Sequence, residues 1–534
     1  MPFFTNKYLV FRIYNMKKKY ISLFLLPVLL SGCSNGIKLK FVPYSSYVGK
    51  DLMVSEETSY YKREKETSPV TYKNGTVNCL SDMLADYKSA NFRESIPTTG
   101  DRNLLVIPIS FKDSDKDAKR REDGTIFLKN AFFGDNSRTN YYSVAGYYNS
   151  SSYGQLRLNG EVAPWFDLDM TSGDLLKLPY MTASSTAVAK AVDYLKEHSD
   201  IDFSAYDTDG DDHIDGVYAI YDYPVNEKSK LFWAYTHYTF EGENSLNNSK
   251  PFLNGYSWTS LETIIQKDNR SYTNYLIHET GHLLGLTDYY NTRFSLDDED
   301  YKFQPTGCFD MMDYNIGDHS SFSKYLFKWT SPMVLKKNIE TTIKLKPFTT
   351  SGEYILIPSS KYNNTPFSEY LLLEYFAPTG ANKFSGAYSY TDANGKTGIY
   401  KYPQYYGLKI YHVNATLGYF QSTMNAQLIC TIDDPNWQTK IGENRVGLDF
   451  AYSNTIKNED VGSYPVLVHL LESSGKNTFK DAIPANNNTL FRIGDDFGYT
   501  KFTDFAFKDE EPLNFKMKVK DLSTRDITLE ISYK

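Results

Sequence analysis

Two histidines one helical turn apart constrain this chain more than anything else in it. The stretch from His278 to Tyr290 reads HETGHLLGLTDYY. On an α-helix, residues i and i+4 lie one above the other on the same face, so His278 and His282 can turn their imidazoles to a single metal ion. Glu279 points off that axis, where it can act on water instead of binding the metal. Gly285 lets the chain leave the helix in a left-handed turn that a Cβ would resist. Asp288 follows three residues later, a short reach back for a third ligand; a more distant glutamate is the alternative.

Two imidazoles and one carboxylate leave the fourth position of a tetrahedral zinc ion open for water. Zinc lowers the pKa of that water towards neutrality and polarises a carbonyl. Glu279 would then take the proton and pass it to a leaving amine. Two further histidines, His237 and His319, read as hydrogen-bonding residues.

The chain has 534 residues, enough for more than one domain. Its net charge of −8, from 57 basic and 65 acidic residues, argues against a nucleic-acid partner. With 46 Tyr and 33 Phe it suits β-rich extracellular structure, although codon bias explains the same excess. Cys33, Cys79, Cys308 and Cys430 are far apart, which excludes a cysteine zinc cluster or a disulfide-rich scaffold.

The segment 16–33, MKKKYISLFLLPVLLSGC, has a basic start, an apolar run too short to span a bilayer, and a small-small-Cys exit. It resembles a bacterial lipobox, which implies that Cys33 is diacylated and becomes the mature N-terminus, with translation starting at Met16. The protein would then sit on the extracellular face of the cell membrane, held by lipid. Residues 34–99 read as a tether or pro-segment with a short helix over 79–90.

From 100 to 335 the texture is that of a mixed domain. The continuous apolar run 103–111 reads as a covered central strand. A short helix is expected over 141–148, strands over 152–160 and 217–221, and helices over 185–198, 269–284 and 322–329. The acidic stretch DTDGDDHID has carboxylates at Asp207, Asp209, Asp211 and Asp215, with the His213 carbonyl at position 7. That is the spacing of an EF-hand-type calcium loop. It departs from the pattern with Gly210 at position 4, Asp212 at position 6 and Tyr218 at position 12. A solvated acidic turn is the alternative reading.

The resemblance is densest in this region. HExxHxxGxxD, followed about 25 residues later by Asp310-Met-Met312-Asp-Tyr314, resembles a metzincin zinc peptidase with its Met-turn. The runs VIPISFKD, YYNSSSYGQLRLNGEV, YDTDGDDHIDGVYAIY and FDMMDYNIGDHSSFSKYLFKW resemble the immune inhibitor A-like family of secreted bacterial metallopeptidases. Membership implies a zinc endopeptidase acting on proteins or peptides. It implies Met312, or alternatively Met311, as the apolar floor under the metal. Tyr314 would be a hydrogen-bond donor to the oxyanion.

Beyond about 336 the pattern turns to strands over 341–348, 353–358, 369–376, 407–413, 465–471 and 515–533, the last as a hairpin around 523–526. The expected fold is α+β: signal 1–33, tether 34–99, a metzincin-like catalytic domain 100–335 and a β-sandwich-type region 336–534. Strands 371–375 and 408–413 could instead pack onto the catalytic domain. The expected function is an exported zinc endopeptidase with structural calcium. A cell-surface binding protein or adhesin on a peptidase-like fold is the alternative.

Overall fold

The apolar run at 103–111 forms the strand Gly100–Ser110, in the middle of the first sheet. In this computed structural model, residues 96–534 are described apart from 226–229, 239–245, 266–269, 385–386, 392–396, 402, 422–426, 443–445 and 456–465. Three short strands, Tyr61–Arg63, Val70–Tyr72 and Gly75–Val77, are described as well. Cys33, the tether helix over 79–90, and the outermost residues of the expected elements at 269 and 465 lie outside the described residues. The protein is a mixed α/β molecule with several sheets and few helices.

The first sheet runs in the order Leu156–Val162, Gly100–Ser110, Val217–Tyr221, Gly255–Ser260, Tyr235–Tyr238. The first four strands are parallel and Tyr235–Tyr238 is antiparallel at the end. Side chains alternate between faces along a strand, so an unbroken apolar run needs cover on both. Leu104 and Val106 face one core with the helices Ala118–Phe133, Val144–Ser151 and Asn274–Leu283. Leu105, Ile107 and Ile109 face the other, against Val188, Val192 and Leu195 of the helix Tyr180–His198.

Local sequence shifts two expected boundaries. The helix Val144–Ser151 starts three residues after 141 because the Ser143 hydroxyl caps it, accepting from the Gly146 N–H at 3.1 Å. The strand Leu156–Val162 starts four residues after 152 because Tyr153 and Gly154 both have positive φ, 56° and 80°.

In the second half, a six-stranded sheet contains Met333–Leu335, Tyr354–Pro358, Glu369–Phe376, Gly407–Asn414 and Val468–Leu471, with Tyr61–Arg63 pairing at the Met333–Leu335 edge. One face, carrying Leu356, Tyr370, Leu372, Tyr411 and Val413, joins the core that holds Leu276 and Ile277. The opposite face, carrying Ile355, Leu371, Leu373 and Ile410, shares a core with Ile343, Met517, Val519, Leu529 and Ile531. These last belong to a four-stranded sheet of Thr341–Leu345, Ile527–Tyr533, Phe515–Leu522 and Asp496–Gly498. The six-stranded sheet is thus the shared wall between the helix bearing His278 and the C-terminal strands. Cys430 is a buried free thiol. Among the described residues no helix is long and apolar enough to cross a membrane.

Candidate metal centre

The helix Asn274–Leu283 carries His278, Glu279 and His282. Leu276, Ile277 and Leu283 are fully buried and hold it on the first sheet, each contributing about 1.5–3 kcal/mol by burial. Buried phenols fix its height: Tyr148 Oη donates to the Ile277 carbonyl at 2.7 Å and Tyr218 Oη to that of Leu276 at 2.8 Å. The helix ends at Leu283. Gly285, with φ +103°, turns the chain back so that the Leu286 N–H bonds the Gly281 carbonyl at 3.0 Å.

That turn brings Asp288 under the two imidazoles. Asp288 Oδ1 lies 3.1 Å from His278 Nε2 and 3.3 Å from His282 Nε2. One ligand atom from each of the three residues falls within 4.8 Å of the others, close enough to share one ion. The Nδ1 atoms are already engaged, His278 with the Met311 carbonyl and His282 with the Leu286 carbonyl, both at 2.8 Å. Donating Nδ1–H to a carbonyl leaves the Nε2 lone pair for a metal, so the donor set fits zinc. Burial opposes charge on His282, but the Asp288 carboxylate outweighs it and pushes its pKa up to about 9. Burial also opposes charge on Asp288, and the two imidazoles hold it well below the usual carboxylate range. A metal ion bound here would take the place of the proton that Asp288 stabilises on His282, so binding would release a proton.

Glu279 is buried beside them. Its Oε2 accepts the Thr236 hydroxyl at 2.7 Å, and Thr236 Oγ1 also lies 2.7 Å from Ser257 Oγ. Thr236 sits on the end strand Tyr235–Tyr238, whose Tyr238 hydroxyl donates to the His282 carbonyl. Tyr290 stacks near His278, ring centroids 6.3 Å apart. Sequence reasoning missed Thr236 and Tyr238. They come from a separate strand, and only its pairing with Gly255–Ser260 places them over the helix.

Both candidate methionines meet the helix, in different ways. Met311 supplies the carbonyl that holds His278. Met312 is fully buried against the helix backbone: a Cβ on Gly281 would stand 2.5 Å from its Sδ. Asp310 caps the short helix Met311–Tyr314, its Oδ1 accepting the Met312 N–H at 2.8 Å, and burial pushes its carboxyl up to about 7. Tyr314 ends that helix and is half-buried.

The other two histidines stand outside this cluster. His237 has its ring edge-on to Tyr256, at 5.6 Å, and burial lowers its pKa to about 4. His319 is buried beside Tyr147 and Trp329, with Nε2 3.4 Å from Tyr148 Oη.

In the acidic loop, Asp207, Asp209 and Asp215 come together within the same 4.8 Å limit. Burial and the nearby Asp209 push Asp215 up to about 7, although Thr208 donates to it. The Asp211 carboxylate is not among the three that come within this limit. Asp211 Oδ1 accepts the His213 N–H at 2.8 Å, and His213 Nδ1 faces the Asp211 carbonyl at 3.0 Å.

No family model matches the chain, and no curated protein matches it.

Proposed function

We propose that this protein is an exported zinc endopeptidase that hydrolyses peptide bonds in proteins or peptides. The observation that carries the reading is the convergence of His278 Nε2, His282 Nε2 and Asp288 Oδ1 on one point, beside a buried Glu279 on the same helix. The proposal includes the resemblance to the immune inhibitor A-like family, with a metzincin-like catalytic domain followed by a β-sandwich-type region. It also includes export and lipid anchoring through Cys33, and calcium at Asp207, Asp209 and Asp215.

When bound, zinc supplies a Lewis acid that makes water nucleophilic near neutral pH and polarises the scissile carbonyl. His278, His282 and Asp288 hold it, and the carbonyls of Met311 and Leu286 keep both imidazoles in the required tautomer. Glu279 accepts the proton of the attacking water and delivers it to the departing amine. Thr236 is a positioning residue that keeps the Glu279 carboxylate from swinging away. Tyr314 is assigned as donor to the carbonyl oxygen as it gains charge. Among the described residues the strand Tyr235–Tyr238 ends the sheet.

The deciding experiment uses a fluorogenic peptide and casein. The parent protein cleaves them and loses that activity to a zinc chelator, while Glu279→Gln keeps zinc but does not cleave. If neither substrate is cut in a chelator-sensitive way, the peptidase reading fails and the surface-binding reading replaces it.

A further inference from the structure

A cavity of about 380 Å³ lies in the C-terminal half, and none of its lining residues belongs to the His278–Asp288 site. That volume is near the lower end of the roughly 300–1,000 Å³ of small-ligand sites. It opens where Glu369 and Asn414, cross-strand partners in the six-stranded sheet, meet four other segments. These are the loop with Asp433, the residues around Tyr452 after the strand Val446–Phe450, Lys361 and Lys508.

Much of the charge around it is satisfied internally. Glu369 accepts from His412 Nε2 at 2.8 Å and from the Lys508 N–H at 3.0 Å. The Lys508 ammonium bonds the Tyr452 hydroxyl and lies 5.1 Å from that ring's centroid. Other polar groups have capacity left. Asn414 is 1% exposed; its Oδ1 accepts the Thr416 N–H at 3.3 Å, but its amide nitrogen donates no hydrogen bond among the described residues. The Thr416 hydroxyl makes none among them either. Asp433 is exposed and forms no salt bridge among them. None of these atoms is sealed from solvent, so a ligand entering the cavity can replace water as their partner.

The free set comprises a donor at Asn414, a donor-acceptor at Thr416 and an acceptor at Asp433, next to an aromatic ring. An anion would meet Asp433 and Glu369. A cation would meet Lys508. An apolar ligand would leave Asn414 and Thr416 unpaired. A neutral polyol, whose hydroxyls each donate and accept, satisfies all of them.

We propose that this cavity binds a neutral carbohydrate the size of a mono- or disaccharide. The inference is independent of the zinc reading. The test uses the full chain, purified in a detergent without a sugar head group, and titration calorimetry with maltose, cellobiose, lactose and diacetylchitobiose. At least one binds with one-to-one stoichiometry, and Thr416→Val and Asp433→Ala each weaken it ten-fold or more without moving the thermal midpoint. Asp433 is exposed, so its replacement leaves the fold intact. No binding by any of the four at millimolar concentration overturns the proposal, as does unchanged affinity in Asp433→Ala. Tetra-alanine bound in their place, and lost in the same variants, would make this a peptide site and overturn it too.

Discussion

Thr236 Oγ1 lies 2.7 Å from Glu279 Oε2, a contact between an end strand and the helix that bears both histidines. The hydroxyl has one proton. Given to the carboxylate, it leaves the oxygen to accept from Ser257 Oγ, also at 2.7 Å. The chain Ser257–Thr236–Glu279 therefore ties the proposed base to the interior of the sheet, which restricts where its oxygens can stand.

Removing that hydroxyl while keeping the shape is the direct test. Thr236→Val should lose a hydrogen bond to a carboxylate, about 1.5–3 kcal/mol, or a roughly ten- to hundred-fold fall in kcat/KM. Zinc content should stay at the parent level, and Thr236→Ser should restore most of the rate. A Val variant as active as the parent would remove Thr236 from the mechanism.

Asp288 is the proposed ligand that the sequence leaves most open, and the structure puts its Oδ1 within 3.3 Å of both Nε2 atoms. Asp288→Ala should weaken zinc binding by more than the roughly 10–100-fold that loss of an outer-shell partner costs. Competition with a chromogenic chelator measures this. Unchanged affinity would return the third-ligand role to a more distant carboxylate.

The His278–Asp288 cluster was legible in sequence because its spacing is local. One helical turn aligns two histidines, and Gly285 plus two residues returns Asp288 to them. The strand Gly100–Ser110 was legible because burial on both faces demands an unbroken apolar run. Thr236 carried no such signal: a threonine in the run Tyr235–Tyr238 reads like any other strand residue, and only antiparallel pairing with Gly255–Ser260 aims it at Glu279. In the acidic loop Asp207, Asp209 and Asp215 stand together, while Asp211 Oδ1 accepts the His213 amide. The C-terminal cavity is set by contacts between segments from Lys361 to Asp509, which no local pattern encodes.

Those three carboxylates give a calcium prediction. In the Glu279→Gln background, which would prevent self-digestion by the proposed peptidase, saturating Ca²⁺ should stabilise the protein by about 2.7 kcal/mol at a hundred-fold excess over Kd. EGTA should reverse this, and Zn²⁺ should not substitute. Asp209→Asn, at an exposed position, should abolish the response. A thermal midpoint indifferent to Ca²⁺ would leave the loop as a solvated turn.

His319 predicts an acid limb in stability. Burial, with smaller effects from Lys324 and His278, lowers its pKa well below 6.5, so it is neutral in the fold. The unfolded chain binds a proton below about 6.5 and the folded chain does not. This contribution is therefore complete above pH 6.5 and lost as pH falls. His319→Phe suits the ring's neighbours Tyr147, Phe327 and Trp329 and removes the titration. Between pH 6.5 and 5.5 the parent should lose about 1 kcal/mol more than the variant, measured by urea unfolding. Parallel curves would mean that His319 is protonated in the fold.

Gly281 and Met312 should behave as a coupled pair. An alanine at 281 places its Cβ 2.5 Å from Met312 Sδ and 3.1 Å from Cε, so the thioether must move. Overpacking of this kind costs about 1–3 kcal/mol, part of which the better helix propensity of alanine returns, up to about 1 kcal/mol. The displacement also pulls on the next residue back, whose carbonyl holds His278 Nδ1 at 2.8 Å, so zinc affinity should fall with stability. Met312→Ala alone opens a cavity costing about 2–5 kcal/mol. In Gly281→Ala/Met312→Ala the new methyl enters that space, so the double variant should be more stable than the sum of the singles by at least about 0.5 kcal/mol. Strict additivity across this cycle would show that Met312 does not pack under the helix at Gly281.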